Sequence, residues 1–153
     1  VQKDNIKKVW PLLADSEKDP NKINRLNHTG THPVHTDLTI SDSIDYYEII
    51  GVERKEARLR YLQNYWTEKV RNLPRVILNT PAAANRSCAI ANIGIEGIEP
   101  GELAKRLLKE HNVFTVAIDY ANVHGCRICP NVYTTTQELD SFVLAIKKLS
   151  NNA

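Results

Sequence analysis

Between residues 59 and 73 the large apolar side chains fall at three- and four-residue steps: Leu59, Leu62, Trp66, Val70 and Leu73. Steps of that size put them on one stripe of a helix, which Pro74 closes because it lacks an amide N–H and clashes with the preceding turn. The charged residues Glu53, Arg54, Lys55, Glu56, Arg58 and Arg60 crowd its first turns. Ahead of it, Ile44, Tyr47, Ile49 and Ile50 fit a shorter helix over 41–50, with Gly51 placed to end it at a positive φ. The period then changes. Residues 75–80 and 87–96 are short runs rich in strand formers, separated by Pro81-Ala82-Ala83-Ala84-Asn85, and they predict two paired strands. Pro100 suits a first helical position, Leu103, Leu107 and Leu108 define a buried face, and Asn112 supplies a left-handed stop. Strands are predicted again over 113–119 and 125–129. Thr135 with Glu138 forms a capping box before the apolar stripe of Leu139, Phe142, Val143, Ile146 and Leu149. Helix, helix, strand, strand, helix, strand, strand, helix predicts an α/β (α+β) sandwich, a small and mostly antiparallel sheet with helices packed on one face. Residues 1–28 add only a short apolar knot around Trp10, which either docks on a neighbouring domain or forms a local helix.

Composition narrows the function. The 153 residues carry 20 Lys and Arg against 18 Asp and Glu, a net charge of +2, which lacks the basic excess of a nucleic-acid binder. No apolar stretch approaches the roughly 20 residues of a membrane span, and the opening Val1-Gln2-Lys3-Asp4 is no secretory leader. Neither nucleic acid nor membrane is expected as a partner. The 3 cysteines imply no disulfide framework, so a cytoplasmic setting is expected. The chain holds 0 methionines and begins with Val, which suggests a piece of a longer polypeptide.

Four constellations could carry chemistry. Cys126-Arg127-Ile128-Cys129 has C-x-x-C spacing, but in a strand side chains three positions apart point to opposite faces, against the geometry of a redox pair or half a zinc site. His28, His32 and His35 cluster without the helical spacing of metal ligands, and nothing marks His111 or His124 as a general base. Thr29-Gly30-Thr31 could let backbone amides and hydroxyls approach a phosphate, although such triplets also occur in ordinary turns. Arg127 alternates with Cys126 and Ile128. Its guanidinium therefore faces away from theirs, either into a cleft where it could grip a carboxylate with two parallel bonds or simply into water.

Two of these segments together resemble one family. The run Gly125-Cys126-Arg127-Ile128-Cys129-Pro130-Asn131-Val132-Tyr133-Thr134-Thr135-Thr136-Gln137-Glu138-Leu139-Asp140 is similar to the Gly-x-Arg-x-Ser-Pro-x-x-Tyr-Asn-Thr-x-Glu-Glu-Leu-Asp run that ends class V aminotransferases. Thr29-Gly30-Thr31 and the segment 44–51 resemble that family's interdomain region, especially in the isopenicillin N epimerase-like branch. The resemblance implies residues 1–40 as an interdomain linker, 41–153 as the C-terminal small domain, and a large cofactor-binding domain outside this chain. It also implies pyridoxal phosphate as cofactor, an amino-acid substrate whose α-carboxylate Arg127 holds, and a homodimer in which Gly30 and Thr31 reach the cofactor phosphate of the other subunit.

By the same resemblance the Schiff-base lysine belongs to the large domain, so no catalytic residue and no metal ligand is assigned here, and this chain alone is expected to be inactive. Cys129 stands where the pattern has Ser, and Thr134 where it has Asn. Cysteine desulfurases of the family carry their nucleophile on a loop well before the arginine; here residues 119–124 occupy that place and hold no cysteine, which argues against desulfuration. A non-catalytic α/β module that binds a small carboxylate is the alternative reading, and a thiol-redox module on Cys126 and Cys129 a third.

Overall fold

The computed structural model describes residues 1–11, 19–27 and 33–151. Two compact units divide the chain, Val1–Tyr47 and Glu48–Ala153. The first holds two short 3-10 helices, Lys3–Lys8 and Ile23–Leu26. Arg25 ties them by donating to the carbonyls of Ile6 at 2.9 Å and Val9 at 2.8 Å. Trp10 follows the first of these turns rather than joining it, and its ring is exposed.

The helix α1 (Val34–Ile50) runs across that division. It starts well before residue 41, where the sequence predicted it. Its apolar and polar residues are scattered around the axis and none of its side chains is buried, so periodicity gave no signal for the first turns. Gly51 follows at φ 86°, a backbone conformation that a side chain would strain.

In the second unit α2 (Val52–Val70) leads into β1 (Val76–Leu78), β2 (Ala91–Ile95), α3 (Pro100–His111), β3 (Val116–Tyr120), β4 (Val123–Ile128) and α4 (Thr136–Asn151). The strands form one antiparallel sheet in the order β1-β2-β4-β3. Core-facing Ala91, Ile93 and Ile95 of β2, with Cys126 and Ile128 of β4, pack against Leu62, Trp66 and Val70 of α2, Leu103 and Leu107 of α3, and Phe142, Ile146 and Leu149 of α4. The ring of Trp66 meets that of Phe142 edge to face at 5.3 Å between centroids. Helices thus cover one sheet face, as the element order predicts.

Local signals set the helix ends. Pro100 opens α3, and Asn112 closes it at φ 56° with its amide N–H directed to the carbonyls of Leu107 and Leu108. At the start of α4 the Thr135 amide donates to Glu138 Oε2 at 2.8 Å and the Glu138 amide to Thr135 Oγ1 at 3.2 Å, a reciprocal capping box. The run predicted as strand over 87–96 pairs only from Ala91. Before it, the Arg60 guanidinium holds the carbonyls of Ala84 and Ser87 at 2.7 and 2.5 Å, so this backbone is satisfied by a side chain of α2 rather than by a neighbouring strand. No helix among the described residues is long and apolar enough to cross a membrane.

Candidate functional site

The sheet face opposite the helices carries the residues that alternate with the core. Direct partners share a face, so register places Asn92 of β2 beside Arg127 of β4, and Arg127 beside Val116 of β3. Asn79, one residue beyond β1, extends the row: its amide N–H donates to the Asn92 carbonyl at 3.0 Å. A polar line, Asn79–Asn92–Arg127, therefore crosses the sheet. Below it, Gly94 and Gly125 leave the two central strands without side chains, between Ile77 and Ile118.

Hydrogen bonding fixes how the two asparagine amides point. Asn79 Nδ2 lies 3.1 Å from the carbonyl oxygen of His124, which can only accept, and 2.7 Å from Asn92 Oδ1. The atom facing two acceptors must be the nitrogen, since only it carries two hydrogens. Asn92 Oδ1 is thereby committed as an acceptor. Its Nδ2 is left buried with no partner, in a residue only 8% exposed. An unsatisfied buried donor costs about 1–3 kcal/mol, so it marks a place where an acceptor is missing.

Arg127 is exposed and makes no hydrogen bond or ion pair among the described residues, whereas its sequence neighbours Cys126 and Ile128 are buried. Alternation along β4 thus sends the guanidinium away from the core. The guanidinium offers five donors in a planar fork. Gly30 and Thr31 lie outside the described residues.

The C-x-x-C pair is split as strand geometry requires. Cys126 sits in the core, where burial pushes its thiol above the ordinary range, and Cys129 is exposed past the end of the strand; both are free thiols. One thiol buried in the core and the other exposed beyond the strand are not placed as a redox pair, and a raised thiol is a poor nucleophile. No group of three or more His, Cys, Asp or Glu among the described residues is placed to hold a metal ion.

Residues 119–124 form the hairpin between β3 and β4, closed by Ala121 and Asn122 with Tyr120 paired to Val123. Within it His124 Nδ1 meets Asp119 Oδ1 at 2.5 Å, so this imidazole is oriented by a carboxylate, a feature the sequence reading of His124 missed. Two residues across a two-residue hairpin turn were the available signal. A separate cavity of about 360 Å³ opens at the far end of β4, lined by Phe114, Ile128, Cys129, Pro130, Glu138 and Phe142 among others, and not by Arg127.

The family model described as aminotransferase class V matches residues 14–142. Among solved structures, a cysteine desulfurase from Thermococcus onnurineus NA1 superposes with a TM-score of 0.77 at 18% identity, over 100% of this chain and 42% of that one. The cysteine desulfurase CsdA of Escherichia coli gives 0.68 at 14% identity, over 96% and 40%. An alanine–glyoxylate aminotransferase from Nostoc sp. gives 0.60 at 16% identity, over 84% and 34%. At such identities these likenesses establish the fold, and the chain spans well under half of each neighbour's length. No curated protein sequence matches the chain.

Proposed function

The chain belongs to the class V aminotransferase family, and from that premise we propose that it is the C-terminal small domain of a pyridoxal-phosphate enzyme acting on an amino acid, in the isopenicillin N epimerase-like branch. In this reading residues 1–40 lead in from a large domain, residues 41–153 form the small one, and the enzyme is a cytoplasmic homodimer. The observation that carries it is the Arg127 guanidinium, without a partner among the described residues, on the sheet face opposite the helices of its own unit.

The residues present fit the substrate side of such a site. Arg127 would bind the α-carboxylate through two parallel charge-assisted bonds, which fixes the orientation of the substrate as well as holding it. The orphaned amide of Asn92 beside it marks the same spot as short of an acceptor. Gly30 and Thr31 would hold the cofactor phosphate of the partner subunit through amide and hydroxyl donors. Bound pyridoxal phosphate supplies an electron sink for charge that develops on the substrate's α-carbon. This chain's own share is to bind and orient.

Transamination and epimerisation fit this share better than desulfuration. The hairpin over 119–124 is closed by a two-residue turn and carries no cysteine, while Cys126 is sealed in the core with its thiol raised. The test is the intact protein's visible absorption with added pyridoxal phosphate, together with turnover of amino acids; the isolated chain is expected to show neither. An intact protein without the cofactor band overturns the assignment.

A further inference from the structure

We propose that Asn92 is a second binding residue for the carboxylate that Arg127 holds, donating its Nδ2–H to the same anion, and that Asn79 is the positioning residue that points it there. The inference rests on the reading of Arg127 given above and extends it to two residues that reading does not contain.

Two groups that only donate stand side by side. The Arg127 guanidinium has no acceptor capacity, so it cannot satisfy Asn92 Nδ2, and the amide nitrogen cannot satisfy it. Their register places them as direct partners across β2 and β4. Neither has an acceptor among the described residues. What is missing between them is therefore a group that accepts from both, and a carboxylate has two oxygens and about four lone-pair directions with which to do so. Asn92 cannot turn its own oxygen toward that point to escape the penalty, because Asn79 Nδ2 holds Oδ1 at 2.7 Å while its second hydrogen is spent on the His124 carbonyl.

The same arrangement explains how an anion reaches a closed-off amide. Of the two cross-strand neighbours of Asn92, Asn79 is pinned by both of those bonds. Arg127 is exposed and tied to nothing among the described residues. It is the side chain free to move when a carboxylate draws its charge. The amide then adds what the arginine alone lacks, a short, fixed donor on the β2 side that sets where one oxygen sits.

The experiment is a titration of the isotopically labelled 153-residue chain with sodium acetate, against sodium chloride at matched ionic strength, following the Asn92 side-chain amide and the Arg127 Nε–H by nuclear magnetic resonance. Both signals are expected to move together along one binding curve. Asn79→Ala should weaken acetate binding by about tenfold, the loss of one oriented donor. In Asn92→Asp the new carboxylate should displace the Arg127 signal before any acetate is added and abolish the response to it. Movement of Arg127 with Asn92 unmoved overturns this inference and leaves the reading of Arg127 standing; no movement of either overturns both.

Discussion

Asn92 and Arg127 are direct partners across β2 and β4 on the sheet face opposite the helices of their unit, and neither Asn92 Nδ2 nor the guanidinium has an acceptor among the described residues. The pairing is built by the strands, since the two residues are remote in sequence and meet only through register. The sheet turns its helices to one face and this donor pair to the other. The core residues hold the strands, and the alternate positions are not needed for core packing.

That separation gives Arg127 a distinctive mutational signature. A guanidinium with no partner among the described residues contributes little to stability, so Arg127→Gln should change the unfolding free energy of this chain by no more than about 0.5 kcal/mol. In the amino-acid enzyme proposed above the same change should raise KM by about 10- to 100-fold, the loss of a charge-assisted pair worth roughly 1.5–3 kcal/mol. Arg127→Lys should recover only part of that loss, because an ammonium keeps the charge without the planar fork. Chemical denaturation of the chain and steady-state kinetics of the enzyme measure the two sides.

Gly125 below the polar line and Gly101 in α3 make opposite predictions. A Cβ at Gly125 would lie 2.4 Å from the Ile93 carbonyl oxygen and 2.6 Å from Asn92 Oδ1. The first of these is backbone in a central strand and cannot step aside cheaply, so Gly125→Ala should destabilise the fold by about 1–3 kcal/mol. It should also disturb Asn92. Gly101, in the first turn of α3, has nothing within 4 Å of its Cβ position, and Gly101→Ala should stabilise by about 0.5–1 kcal/mol. Thermal denaturation of both variants reads the signs.

Helix ends were legible in the sequence because their causes are local. Pro100, Asn112 and the Thr135–Glu138 pair each satisfy orphan backbone groups within a turn or so of themselves, and each sits where its residue type predicts. The facing of Arg127 was legible for the same reason, through alternation with Cys126 and Ile128. Asn92 was not. Its role depends on which strand lies beside β2, on Asn79 reaching over from the end of β1, and on the His124 carbonyl consuming one hydrogen. Nothing in the sequence around Asn92 encodes those three long-range facts. The start of α1 failed differently, since a helix without an apolar stripe offers no period to read.

A pH dependence follows from the lock between α2 and α4. Asp140 accepts from Lys69 Nζ at 2.5 Å and from the Tyr65 hydroxyl at 2.9 Å, and the Lys69 and Tyr65 bonds hold its carboxyl below the usual range. The bond to Asp140, and then the contact with Tyr65, raise Lys69. A carboxylate depressed in the fold stabilises above its unfolded value of about 3.9 and loses that contribution as pH falls through the folded value. The raised ammonium contributes fully below its unfolded value of about 10.4 and fades as pH rises through the folded one. The tie should therefore be intact from about pH 5 to pH 10. Asp140→Asn should lower the melting temperature within that window and converge with the natural chain as pH falls through the lowered carboxyl value, the comparison that a series of melts at different pH provides.

The cysteines separate the amino-acid-binding reading from any thiol chemistry. Cys129 is exposed, Cys88 half-buried and Cys126 sealed beneath the helices, its thiol pushed up by burial and directed at the Pro100 carbonyl at 3.6 Å. Alkylation requires thiolate and access, and Cys126 lacks both in the folded state. Iodoacetamide on the native chain should modify Cys129 first and Cys88 more slowly, and should reach Cys126 only as fast as the fold opens, a rate that rises with denaturant. Peptide mapping by mass spectrometry after timed quenching gives the three rates. Rapid labelling of Cys126 in native buffer would mean that β4 is not held in the core as described, and with it the outward facing of Arg127 would be lost.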